Sequence, residues 1–156
     1  MKPLIYLSSS YSDGGRITDP EELEESVIKS LGWAERLFQA GFHVIAPLAS
    51  HWWHNHYPRH HTEWIEYDCA LVQRCDVLVA VSDHPTGFSA GQRMEIATAN
   101  TAHIPVFLWG VFAGQHGLNA TLSVDSSVTL LDWHIKMKKA YAKNLTERRS
   151  PYGSLL

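Results

Sequence analysis

Apolar positions along the chain change period several times, and each change marks an element. Pro3 to Ser8, "PLIYLS", is a short β-rich apolar run, and a Ser/Gly-rich stretch, "SSYSDGGR", follows it. From Asp19 the period lengthens: Leu23, Val27, Leu31, Ala34 and Phe38 recur at helical spacing, which predicts an amphipathic helix. Its start is signalled by a capping Asp19, by Pro20 at the first helical position, and by Glu21 and Glu22 facing the helix's positive end. Gly41 supplies the stop. "FHVIAP" predicts a second strand, the run "SHWWHNHYPRHH" (50–61) a loop, and Thr62 to about Arg74 a helix. "DVLVAVS", Asp76 to Ser82, is almost continuously apolar, as suits a strand covered on both faces. The loop "DHPTGF" leads to a helix beginning near Ser89, and "IPVFLW", Ile104 to Trp109, is a fourth strand. After a Gly/Ser/Asn-rich connection, a short strand is expected around Val128 to Leu131, then a basic helix over roughly 132–145.

Strand and helix alternate four times. A parallel crossover needs an intervening helix, so the pattern predicts a single doubly wound α/β domain, flavodoxin/Rossmann-like, with a mainly parallel sheet of four to five strands. Residues 1–146 form that domain, and the tail 147–156 is expected to be loose or to dock on a partner subunit. In such folds ligands bind beyond the carboxyl ends of the strands. The loops after strands one, two and three should therefore converge on a site.

Composition narrows the partners. The 156 residues suit one ordinary domain, and a net charge of -3 offers no basic face for phosphate polymers, which argues against nucleic acid. The segment after Met1-Lys2-Pro3 is too short for an export signal or a membrane span, so no membrane association and a cytoplasmic location are expected. Cys69 and Cys75, the only cysteines, match neither a redox pair nor a zinc knuckle and read as buried thiols.

Two carboxylates stand in unusual places. Asp68 lies mid-helix with Trp64, Ile65, Leu71 and Val72 one turn away, so it projects from the apolar side. Burial there disfavours the charged form and suits a proton donor; a structural aspartate held by an arginine or backbone amides fits the same pattern, and both readings stay open. Glu95 follows a well-capped start, Ser89 with Gln92 three residues on, and has Gly91 and Ala99 one turn either side. Small neighbours leave its helical face open to close approach, and the nearby helix N-terminus modestly favours its ionised form. A plain solvent-facing glutamate is the competing reading. Asp76, at the start of a strand, reads as structural.

Three stretches, "YLSSSYSDGGR", "EYDCALVQRCDVLVAV" and "GFSAGQRMEIATA", together resemble the nucleoside 2-deoxyribosyltransferase superfamily, including its nucleotide N-glycosidase branch. The similarity runs from about Tyr6 to Ala99. It implies that Glu95 is a nucleophile toward the anomeric carbon, that Asp68 protonates or hydrogen-bonds the departing base, and that Tyr6 orients the nucleophile. It further implies that Ser89, beside Gly91, contacts the sugar or its 5' end, and that Ser8, Ser9 and Arg16 belong to a loop cradling a 5'-phosphate, with Gly14 and Gly15. The chemistry agrees: cleaving an N-glycosidic bond builds oxocarbenium character that a carboxylate stabilises or traps, and a base leaves more readily when protonated. The resemblance implies a homo-oligomer whose site a second chain completes, with no metal or organic cofactor. The expected partner is a small-molecule nucleoside or nucleotide.

The run at 50–61 holds five of the ten histidines and two tryptophans. His51, His54 and His56 have fragments of metal-site spacing, but the segment has no acidic residue and carries Pro58. Its place after strand two favours a lid or pocket wall, with Trp52 or Trp53 stacking on a base and His51 bonding its edge. Burial against a neighbouring subunit is the alternative, and "LNATLSV" around Asn119 is a candidate for a segment contributed by a neighbour. The functional expectation is cleavage or transfer at the N-glycosidic bond of a (deoxy)nucleoside or its 5'-monophosphate. Two rivals are a non-catalytic nucleotide-binding or sensing domain and a metal-dependent hydrolase built on the histidine loop.

Overall fold

The computed structural model describes residues 2–12, 16–83, 87–111, 114, 117–125 and 127–148, and every structural statement refers to these. Strand β1 (Leu4–Ser8) is followed by α1 (Pro20–Gln39), β2 (His43–Ile45), a 3₁₀ turn (Pro47–Ser50), α2 (His51–His56), α3 (His61–Val72) and β3 (Val77–Ser82). Then come α4 (Ala90–Thr101), β4 (Val106–Gly110), a second 3₁₀ turn (Gly117–Asn119), β5 (Thr121–Leu122) and α5 (Leu130–Arg148). The sheet order is β2-β1-β3-β4-β5, with β5 alone antiparallel. This is the doubly wound, flavodoxin-like α/β arrangement, and its strand order reverses between β1 and β3.

The two faces of the sheet follow from the pleat. Ile5 and Leu7 on β1 and Val77, Val79 and Val81 on β3 point to one side, where they meet Leu37, Phe42, Phe107, Trp109 and Leu130. Tyr6, Leu78 and Ala80 point to the other, against Val72 and Ala99. All six residues of β3 are buried, as its continuous apolar run requires.

Asp19 caps α1 by accepting from the amides of Glu21 and Glu22, and Gly41 takes the left-handed φ of 98° that ends it. Its buried residues are the expected Val27 and then Ser30 and Leu37, each one position before the expected Leu31 and Phe38. Leu31 and Phe38 stay exposed, Phe38 by 55%. The periodicity of α1 is correct in kind, but two apolar lines run along it and packing selected the one containing a serine.

Two further expectations are corrected. The histidine-rich run is not a loop: most of it is helical, as α2 and the start of α3, with His60 capping α3 and Glu63 returning a bond to the His60 amide at 2.9 Å. Residues 128–131 do not form a strand. α5 already begins at Leu130, leaving one bridge between Thr121 and Thr129, and the strand is Thr121–Leu122 in the stretch read as a connection. That stretch adds an edge to this chain's own sheet. α5 runs past 145, and the tail beyond 148 lies outside the described residues.

Candidate active site at the strand-order reversal

Strand β1 ends at the reversal point, and its last residue, Ser8, is polar and buried. Tyr6 and Ser8, two apart, share the face toward α4. The Tyr6 hydroxyl donates to Glu95 Oε1 at 2.8 Å, and the Ser8 hydroxyl donates to Glu95 Oε2 at 2.5 Å. Glu95 is only 7% exposed, so the reading of a solvent-facing glutamate is overturned. Either side of it, Gly91 borders α3, where an added Cβ would stand in ordinary contact with Ile65 Cδ1 at 3.7 Å, and Ala99 is buried in the core.

What holds α4 at this point is Gln92. Its side-chain oxygen accepts from the Ser89 amide while Ser89 Oγ accepts from the Gln92 amide, a reciprocal cap. Its Nε2 donates to the Val81 carbonyl at 2.8 Å and to the Ser8 carbonyl at 3.3 Å. One side chain, 2% exposed, thus ties the start of α4 to the ends of both strands flanking the reversal. Sequence reading saw only its capping role, because the strand contacts span 84 and 11 positions.

Asp68, on α3, is half-buried on this same side. Its Oδ1 is enclosed and has no hydrogen-bond partner among the described residues, and no arginine holds it there. Burial first, and then the charge of Glu95, push its pKa up to about 7. Burial also raises the pKa of Glu95, against the ionising tendency expected from its helix position, while the hydroxyls of Ser8 and Tyr6 pull it back. Tyr6 is driven far above the ordinary phenol range by burial and then by the negative charges of Glu95 and Asp68, so it stays a neutral donor. The two hydroxyls favour the ionised form of Glu95, whereas burial and the charge of Glu95 favour the protonated form of Asp68.

The other singled-out residues are distributed around this cluster. Ser9 turns to the opposite side and shares a proton with Ser30 of α1 at 2.9 Å. Ser10 Oγ is buried with no partner among the described residues. Arg16 is exposed in a turn, and Gly14 and Gly15 lie outside the described residues. His51 is 7% exposed, with Nδ1 at 2.6 Å from the Tyr11 hydroxyl and Nε2 at 3.0 Å from Asn55 Nδ2. Trp52 is 40% exposed and meets the His51 ring edge-on. Trp53 packs edge-on with Trp64 and Tyr67 of α3, and Trp64 Nε1 donates to His54 Nδ1 at 2.8 Å. Thus three of the five clustered histidines serve as protein contacts: His51, His54 and the capping His60. No group of three or more His, Cys, Asp or Glu is placed to hold a metal ion among the described residues. Asp76 is structural as expected, its Oδ2 accepting from the Leu4 amide at 2.7 Å. Both cysteines are free thiols; Cys75 is buried and Cys69 half-buried, where it accepts from Thr98 Oγ1 at 3.3 Å.

Fold and cluster together define a doubly wound α/β domain with a paired-carboxylate site at its strand-order reversal. Residues 3–111 match the family model described as a domain of unknown function (DUF1937), and the chain belongs to that family. No curated protein matches it. Among solved structures it is similar to a 2-deoxyribosyltransferase from the psychrotolerant bacterium Bacillus psychrosaccharolyticus, with 19% sequence identity, a TM-score of 0.44, and coverage of 69% of this chain and 72% of that one. No helix among the described residues is long and apolar enough to cross a membrane.

Proposed function

We propose that the protein cleaves or transfers at the N-glycosidic bond of a (deoxy)nucleoside or nucleoside 5'-monophosphate, with Glu95 as nucleophile and Asp68 as proton donor. The observation that carries this reading is the division of labour between the two acids: Glu95 held as carboxylate by Tyr6 and Ser8, Asp68 poised to keep its proton to about pH 7. Each Glu95 oxygen retains a lone pair after accepting its hydroxyl proton. One of them attacks C1' while the C1'–N bond breaks, the bond pair passes to the base nitrogen, and Asp68 delivers a proton to the leaving base. The glycosyl ester on Glu95 is then resolved by water or by a second base, and Asp68 is reprotonated when it removes a proton from that acceptor. Sugar contacts are assigned to Ser89 and Gly91 and a 5'-phosphate contact to Arg16, in keeping with their place at the start of α4 and in the β1–α1 connection.

A homo-oligomer is part of the same reading. Ile28, Leu31 and Phe38 form an exposed apolar line on the acidic α1, and α5 carries exposed Leu131, Ile135 and Met137 among lysines 136, 138 and 139. Opposite charge on two apolar-lined helices suits a second copy of the chain. The catalytic reading is tested by incubating the protein with a panel of deoxynucleosides and monophosphates and following free base by chromatography. Release by the wild type and its loss by about 10³-fold or more in Glu95→Ala is the expected result. Equal release by the variant removes Glu95 from the mechanism.

A further inference from the structure

The loop leaving β1 alternates its contacts in a way the catalytic pair does not use. Ser8 reaches Glu95, Ser9 is tied to α1, Ser10 keeps a buried hydroxyl without a partner among the described residues, and Tyr11 meets His51. Tyr11 stands three residues after Ser8 in the connection leaving the carboxyl end of β1, and His51 in the one leaving β2, the edge of the sheet at which ligands bind in such folds. Tyr11 is half-buried, and burial raises its pKa, so it remains a neutral phenol.

The proton order of the Tyr11, His51 and Asn55 chain follows from the inventory of donors. Asn55 turns its amide so that Nδ2 faces His51 Nε2 at 3.0 Å, and in that orientation the amide donates and Nε2 accepts. A neutral imidazole then carries its proton on Nδ1, which donates to the Tyr11 oxygen at 2.6 Å. Tyr11 is thereby an acceptor toward His51, and its own proton is left to point away from the imidazole. Asn55 sits one helical turn after His51 on α2, which keeps amide and ring in contact. Both nitrogens of the buried His51 are engaged inside the protein, so what it fixes is the direction in which Tyr11 donates.

We infer that Tyr11 is a substrate-contacting hydrogen-bond donor of the site, with His51 and Asn55 as positioning residues that hold its proton toward the ligand. A ligand that fits this half of the site presents an acceptor oxygen or ring nitrogen to the Tyr11 hydroxyl. The identity of that ligand rests on the glycosidic reading above; the proton order does not.

Two measurements test it. Long-range proton–nitrogen NMR on protein labelled with ¹⁵N-histidine, with His51 assigned through His51→Gln, reads which ring nitrogen carries the proton. Nδ1 is expected in the wild type and Nε2 in Asn55→Asp, whose side chain only accepts. A wild-type proton on Nε2 overturns the inference. Dissociation constants for deoxynucleosides and their monophosphates, read at short times from tryptophan fluorescence, should rise about tenfold in Tyr11→Phe. A similar rise is expected in Asn55→Asp, with no further rise in the double variant. Binding by Tyr11→Phe within twofold of the wild type overturns Tyr11 as a ligand contact. Should the wild type bind no member of the panel, the glycosidic reading falls together with Tyr11's assigned ligand, while the NMR result still decides the proton order, so the two failures are told apart.

Discussion

The two faces of this sheet are built from the same strands and do opposite things. On the side of α1 and α5, Trp109 is fully buried against Trp33, Phe107 packs edge-on with Trp133, and Phe42 lies 4.4 Å from the ring of His134. On the side of α3 and α4, the strands present Tyr6 and Ser8, and the helices answer with Glu95, Gln92 and Asp68. Each face also encloses titratable atoms with no hydrogen-bond partner among the described residues: both ring nitrogens of His134, 3% exposed, and Oδ1 of Asp68. The difference lies in company. His134 lies against the Phe42 ring with the charge of Lys138 near it, and both burial and that charge disfavour its protonated form, whereas Asp68 feels the negative charge of a second carboxyl group, which favours its protonated form. Burial beside a second carboxyl group is the feature that marks the α3–α4 side as the candidate site.

That contrast can be broken from either side. The largest effect is expected from Asp68→Asn. It should lower glycosidic turnover by about 10²–10⁴-fold, as loss of an acid–base group does, measured by base release. The same variant should gain stability at high pH. A carboxyl whose pKa rises from 3.8 to about 7 on folding favours the folded state below pH 3.8 and loses that advantage as pH climbs to about 7. Denaturant titrations should show no gain for the variant at pH 4 and a gain at pH 8. A variant less stable than the wild type at pH 8 would mean that Asp68 has a structural partner.

On the other face, Trp109→Ala should cost about 3–5 kcal/mol in urea unfolding, with the loss arising from a large void in the core. Gly117→Ala is expected to cost about 1–3 kcal/mol by overpacking, since an added Cβ would stand 2.9 Å from Trp109 Cζ3 and 3.2 Å from Leu37 Cδ2. Unchanged stability there would show that the ring gives way. The smallest effect is a pH dependence. His134 has its pKa lowered by burial and then by Lys138, so the unfolded chain takes up the proton first. Its contribution is intact above about pH 6.5 and is lost as pH falls through the depressed value. His134→Phe should flatten the acid-side fall of stability with pH; an identical slope in both proteins would place the effect elsewhere.

Much of the architecture was legible locally. The capped start of α1, the all-buried β3 and the alternation that demands parallel crossovers depend on residues within a few positions of each other, where helix and strand geometry leave few choices. Asp68 and Glu95 stood out because a charged group broke an apolar or small-residue pattern. Contacts between distant segments were not legible. The helical α2 was hidden by a mixture of His, Trp and Asn without a clean period, and its partners Tyr11, Trp64 and Tyr67 belong to other elements. The exposed line on α1 was indistinguishable in sequence from the buried one, because both satisfy a 3.6-residue repeat.

The amino-acid sequence by itself determined which segments become strands and helices, and hence a doubly wound sheet with two odd carboxylates near its carboxyl edge, because those outcomes follow from backbone geometry and short-range patterning. Only the tertiary structure decided that Tyr6 and Ser8 meet Glu95 across 89 and 87 positions, that Gln92 pins both strand ends, and that His51 addresses Tyr11. Hydrogen bonds between remote side chains are set by how whole elements pack, and no local period encodes that distance.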